Sequence, residues 1–260
     1  MTTADLKTEI VDGVGVVSLN RPHRHNAITD ALFDDMCTAL RGYLRDPVVR
    51  CVLIRGEGRS FCSGRDTAEL GQRPPGVDDF AFVREHQQIR LDVLESTKPV
   101  VAAVQGAAIG GGFEIALSAD FRIVAEDAVF ALPEVGLGLI PDTGGTQLLP
   151  ALVGPARAKY LVLSGARIDA RTAFEWGIAE EVVPVDELYE RAMELSRRLA
   201  AQPKLAMSMA KMLVNQASAG QIRNGIGQEL LAQTALFTSD EYQAIKEARW
   251  QRQVAEGEEF

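Results

Sequence analysis

The hydrophobic pattern opens with two β-rich runs, Leu6–Val11 and Val14–Leu19. Asp12-Gly13 divides them, a dipeptide suited to a two-residue hairpin turn because both positions tolerate positive φ. Asn20-Arg21-Pro22 stops the second run. Leu32, Phe33, Met36, Ala39, Leu40 and Leu44 then recur at helical spacing, with Thr29 or Asp30 placed to cap the helix and Pro47 to end it. Val49–Arg55 predicts a buried strand, and the Gly- and Ser-rich stretch Gly56–Glu69 a loop. Pro74-Pro75-Gly76 predicts a mobile surface loop, and residues 79–96 fit a long helix.

The pattern then becomes strand, tight loop, helix: apolar Pro99–Val104, a glycine-rich turn over Gly106–Gly112, and helical Phe113–Ala119. Two strand-like runs, Phe121–Ala125 and Ala128–Leu132, precede a second glycine-rich loop from Pro133 to Gly145. From Arg157 onward the pattern is helical, apart from Ala179–Val183, which Pro184 ends. Pro203 suits the first turn of a C-terminal helical region. The expected class is α/β, with a core over residues 1–202 and a helical region over residues 203–260.

Composition narrows the functions. The 260 residues are 47% hydrophobic and 24% charged, the usage of a globular protein, and the net charge of -9 repels nucleic-acid backbones and anionic membranes. An anionic coenzyme could still bind through a local basic cluster or backbone N–H groups. Cys37, Cys51 and Cys62 have neither disulfide-framework nor zinc spacing, which fits a reducing cytoplasm. No export signal is visible in Met1–Ile10, nor any run of about 18 apolar residues to span a bilayer. The expected location is therefore cytoplasmic.

Chemistry concentrates in three segments. Gly110-Gly111-Gly112-Phe113-Glu114 opens a helix after a buried strand, so its backbone N–H groups can approach a ligand at a positive helix end. The competing explanation is a packing turn, and the spacing fits neither the dinucleotide nor the P-loop motif. Glu114 could merely favour its own helix N-terminus, and Glu134 could be a solvated loop carboxylate. Brought together, two carboxyl groups can divide acid and base roles when their surroundings push their proton affinities apart. Phe61-Cys62-Ser63-Gly64-Arg65-Asp66 offers another set of backbone donors. A Ser-His nucleophile fits poorly, since the segment around Ser60 misses the second glycine of GxSxG and only His86 lies downstream. His23 and His25 lack metal-ligand spacing and read as a basic surface loop, and Cys62 as a small buried residue. No metal is expected.

Taken together, the chain resembles the enoyl-CoA hydratase/isomerase (crotonase) family over essentially its whole length. The matching residues are Asn20-Arg21-Pro22, Asn26-Ala27, Phe61–Asp66, Lys98–Gly106, Gly110–Glu114, Ala119-Asp120, Pro133–Leu137, Pro141 and Gly144–Gln147. The resemblance implies a crotonase-like superhelix of ββα turns with a C-terminal helical trimerisation region, assembling as a homotrimer or a hexamer made of two trimers. It implies an acyl-CoA thioester as substrate, with no cofactor beyond the coenzyme A of that substrate. The main-chain N–H groups of Arg65 and Gly111 would form the oxyanion hole. Glu114 and Glu134 fill both positions that the hydratase branch uses, whereas the isomerase branch typically keeps only the second. Coenzyme or substrate contacts would come from Arg24, Ala27, Ser63, Gly64, Asp66 and Thr67. Two departures stand out. Arg65 occupies a position usually small or apolar, and a buried arginine there needs Asp66, a nearby glutamate or a coenzyme phosphate as partner. Ala248 and Gln251 stand where the family's last helix usually carries Phe and Lys.

Overall fold

The computed structural model describes residues 3–255; the expectations for the first two and last five positions lie outside the described residues. β1 (Leu6–Val11) and β2 (Val14–Leu19) form the expected hairpin, with Asp12 at φ 52° and Gly13 at φ 77°. α1 (Asp30–Arg45) is capped by Thr29, whose Oγ1 accepts from Leu32 N at 3.2 Å. β3 (Cys51–Gly56) follows, then α2 (Asp79–Glu95), capped by Asp78 through Ala81 N at 2.7 Å. β4 (Val100–Val104), β5 (Ala107–Ile109) and α3 (Gly111–Ser118) make one complete ββα unit. β6 (Phe121–Ala125), β7 (Val129–Ala131) and α4 (Gly145–Ser164) make the next.

The chain continues through β8 (Ile168–Asp169), α5 (Ala170–Glu175), β9 (Glu181–Val183) and α6 (Leu188–Ala200), and ends in α7 (Lys204–Phe237) and α8 (Asp240–Ala255). Each ββα unit gives one strand to each of two sheets. The larger runs β1-β2-β3-β4-β6-β9 and the smaller β5-β7-β8. A parallel bridge from Cys62 to Ala108 adds the segment after β3 to the smaller sheet, so three successive turns wind alike.

Three sequence expectations need correction. The turn over Gly106–Gly112 contains β5, because Ala107, Ala108 and Ile109 pair in parallel with β7. The helical reading after Arg157 misses β8, a two-residue edge strand antiparallel to β7, which is too short to show a period of its own. α4 also starts before Arg157, at Gly145, and breaks at Gly154, whose φ of 77° and ψ of 163° lie outside the helical region just ahead of Pro155.

The larger sheet is covered on both faces, which explains its continuous apolar runs. Val17, Leu19, Val52 and Ile54 face a core shared with Phe61, Phe113 and Phe130, while Val16, Leu53, Val101 and Ile123 face α6 through Leu188 and Met193. α7 is fastened to the core by buried Lys211, whose Nζ donates to Asp120 Oδ2 at 2.6 Å and to Lys98 O at 2.8 Å. Farther along, Gln87 of α2 donates to Ile226 O at 2.9 Å, and Val83, Leu230, Phe237 and Tyr242 form a small core that brings α7 and α8 against α2.

Candidate active site

The three successive turns place Ser63–Arg65, Gly110-Gly111 and Pro133-Glu134 along one wall of a cavity of about 350 Å³, closed by α2 and by Gln233 and Phe237 of α7. Arg65 sits in a parallel bridge with Ile28, in which Ile28 N donates to Gly64 O and Asp66 N to Ile28 O, both at 2.8 Å. That ladder uses the groups on either side of Arg65 and leaves its own N–H outside the bridge. Gly111 opens α3, where a first-turn N–H has no partner inside its helix. Arg65 and Gly111 both line the cavity.

Glu114 lies one turn into α3, but its carboxylate belongs to the next unit. Oε1 accepts from Thr143 N at 2.8 Å and Gly145 N at 2.9 Å, and Oε2 accepts from the Thr143 hydroxyl at 2.7 Å. The group thus sits at the N-terminus of α4, where free N–H groups and the helix dipole favour an anion. Glu134 heads a single 3-10 turn, Glu134–Leu137, and its Oε2 is buried without a hydrogen-bond partner. Burial first, then the charge of Glu114, raises its pKa well above the ordinary carboxylate range. Glu134 is therefore no solvated loop residue. Its position depends on Gly110, where φ is 54° and ψ -126°; a Cβ there would lie 2.8 Å from Glu134 Oε1.

Not every expected residue reaches this space. Ser63, Gly64, Arg65, Thr67, Gly111, Glu114 and Glu134 line the cavity. Arg24, Ala27 and Asp66 do not line it. Asp66 is 3% exposed and sits behind the wall, taking Arg21 Nη1 at 2.9 Å and Arg24 Nη2 at 3.8 Å. Burial would raise its pKa, but the hydrogen bonds from Arg21 and Ala68 and the two guanidinium charges hold it below the usual range. Asp66 is thus not the partner of Arg65. That side chain instead meets Asp30 Oδ1 at 2.5 Å and Glu69 Oε2 at 3.4 Å.

Several residues escaped sequence reasoning. Asp142 lines the cavity with its pKa raised by burial and by the charges of Glu114 and Glu229. Glu229 of α7 is buried at the start of α4, accepting from Gly144 N at 2.8 Å and from the Thr146 hydroxyl at 2.5 Å, and burial followed by the Glu114 charge pushes its pKa up to about 8. No motif announces either residue. His86 lies in the cavity wall, stacked on Phe33 with ring centres 3.7 Å apart, so it does not serve Ser60. Ser60 does find a histidine, upstream: His25 Nδ1 is 3.0 Å from its hydroxyl. Among the described residues no carboxylate pairs with His25 to complete a triad. Cys62 is fully buried and its thiol pKa is pushed up to about 12 by burial, as an inert packing residue requires.

The family model for enoyl-CoA hydratase/isomerase matches residues 9–252. The chain belongs to this family. It is 37% identical to 1,2-epoxyphenylacetyl-CoA isomerase of Escherichia coli (strain K12) over 81% of either chain. Mitochondrial enoyl-CoA hydratase of Pongo abelii is 37% identical, over 78% of this chain and 69% of its own. The crystal structure of an enoyl-CoA hydratase from Mycobacterium avium subsp. paratuberculosis K-10 superposes with a TM-score of 0.86 at 31% identity, covering 95% of this chain and 99% of that one. The two-sheet winding is therefore the crotonase fold. The relatives' names span more than one reaction, so the carboxyl groups of the site decide the reading.

Proposed function

We propose that the chain adds water across the 2,3 double bond of an enoyl-CoA thioester. The supporting observation is the asymmetry of its two carboxyl groups. Three donors and no acceptor face the Glu114 carboxyl, whereas burial and the neighbouring charge raise the pKa of Glu134 well above the ordinary carboxylate range.

In this reading the thioester oxygen takes the N–H groups of Arg65 and Gly111, so negative charge developing there meets fixed donors, worth about 2.7–4 kcal/mol each where such donors have been removed. Glu114 takes a proton from water as the water oxygen bonds to the β-carbon. The electron pair of the double bond moves to the enolate, and Glu134 delivers its proton to the α-carbon. Ser63, Gly64 and Thr67 line the entry for the coenzyme. Arg24, Ala27 and Asp66 act from behind it, Asp66 by fixing Arg21 and Arg24. The loss of absorbance of the conjugated enoyl-thioester on mixing tests the reaction, with 3-enoyl-CoA run beside it. Turnover of the 3-enoyl substrate alone replaces hydration by double-bond isomerisation, which needs only Glu134.

The same reading carries an assembly. α7 presents Leu205, Met209, Met212, Leu213 and Val214 at 51–73% exposure, a contiguous apolar surface of the kind that subunits cover. A homotrimer, or a hexamer made of two, is expected, and Leu213→Asp with Met209→Asp should lower the mass in sedimentation. An unchanged mass, or a wild-type monomer, rejects this assembly.

A further inference from the structure

Buried cations in this fold are normally well supplied with acceptors. Arg122, 2% exposed, donates to Ala119 O at 2.7 Å, to Glu180 Oε1 at 3.1 Å and also to Ile178 O. Lys211 is bonded as fully. Arg90 is the exception. On the inner face of α2 it is 3% exposed, lines the acyl-CoA cavity, leaves its Nε buried without a partner, and makes no hydrogen bond or ion pair among the described residues. Burial presses against its charge, and the nearest compensation comes from Glu114, whose carboxylate already takes three donors.

Two neighbours extend the pattern. Arg65 spends its Nη2 on Asp30 and Glu69 but leaves Nη1 buried and unbonded. The charges of Arg65, Arg90 and Arg73 all bear on His86, whose pKa is lowered to about 3, by burial first. Arg73 is paired with Asp79 at 2.7 Å and Arg65 with Asp30 and Glu69, so of these three arginines Arg90 alone lacks an ion pair among the described residues, and Phe33 and Phe82 line the cavity beside it. An unpaired buried charge is costly, and a guanidinium fork matches the two oxygens of a carboxylate.

We propose that the preferred substrate is the coenzyme A monothioester of a short dicarboxylic acid, whose distal carboxylate is taken by the Arg90 guanidinium. This rests on the acyl-CoA reading above and specifies the acyl group. The amides of Arg65 and Gly111 at the thioester oxygen and Arg90 of α2 at the distal carboxylate would then hold the two ends of one acyl chain, within a cavity of about 350 Å³. A cavity of that size limits the chain to a few carbons between them.

The test is calorimetric binding of unreactive saturated thioesters to the full chain. Wild type should bind glutaryl-CoA or adipyl-CoA about 10- to 100-fold more tightly than hexanoyl-CoA, as befits a charge-assisted pair. In Arg90→Met the preference should vanish with hexanoyl-CoA binding unchanged or tighter, while Arg90→Lys retains part of it. Arg90→Met should also melt at or above the wild-type temperature without ligand, since it removes an unpaired buried charge, whereas a merely structural arginine would lower it. Equal wild-type affinity for the two classes overturns the dicarboxylic proposal and leaves the acyl-CoA reading standing, with no variant needed. An equal loss of both classes in a folded Arg90→Met overturns it as well, assigning Arg90 to Glu114. Failure of every thioester to bind overturns both.

Discussion

Gly110→Ala is the sharpest probe of the carboxyl geometry. At φ 54° and ψ -126° an alanine is strained, at about 1–3 kcal/mol. Its Cβ would also lie 2.8 Å from Glu134 Oε1, so the carboxyl group must retreat by roughly 0.6 Å to reach ordinary contact. Displacements approaching 1 Å at a reacting group cost about 10²-fold in rate, and the group itself contributes about 10²–10⁴. Turnover of enoyl-CoA by Gly110→Ala should therefore fall about 10²-fold, with acyl-CoA binding within a few-fold of wild type. Gly76→Ala is the matched control: φ is +79° and nothing lies within 4 Å, so it carries strain without displacement and should keep its turnover. In a Glu134→Gln background the Gly110→Ala change should add little, because the two act through one group. Wild-type turnover in folded Gly110→Ala would refute the assignment of Glu134.

Further expectations follow from the same geometry. Glu114→Gln and Glu134→Gln should each lower hydration by about 10²–10⁴ with acyl-CoA affinity kept within a few-fold, and equal loss of affinity would make them structural carboxyls. Asp142 and Glu229 titrate higher in the fold than in the unfolded chain, so the stability they contribute is complete below about pH 4 and is lost as pH rises through their folded values, about 8 for Glu229. Chemical denaturation should show lower stability at about pH 8.5 than at about pH 5.5, with a smaller difference in Asp142→Asn; a flat profile contradicts the raised values. Arg65→Ala keeps its backbone N–H, so the Michaelis constant and acyl preference should change more than the turnover number. A collapse of turnover on every substrate would contradict a backbone-only part in the chemistry.

What the sequence discloses here is local. The Asp12-Gly13 hairpin, the Thr29 cap and the apolar face of α1 are written in adjacent residues, and they form where the pattern puts them. Glu114 and Glu134 stand out because glycine-rich loops flank them. Nothing local shows that Glu114 reaches across to the start of α4, or that Gly110 makes room for Glu134. Arg90 was invisible for the opposite reason: an arginine in the middle of a long helix reads as a solvated face, and only the docking of α2 beneath α3 and α7 shuts it away from water. Asp142 lies in the second glycine-rich loop without a motif role of its own and Glu229 inside a long helix, and both matter because of where they sit at the start of α4.

The cavity wall begins at Ile28 and is completed by Phe237 and Arg249, so almost the whole length of the chain must be in place before there is anything for an acyl group to enter. No shorter piece carries the site. During synthesis the protein stays functionally blank until its last helices emerge. In the finished molecule a ligand filling the cavity would contact α1 through Phe33 and α8 through Arg249. Occupancy is then reported by global unfolding, with about 2.7 kcal/mol of added stability at a ligand concentration of about 100 times Kd. Thermal shift across a library of thioesters would rank acyl groups by affinity without any need for turnover.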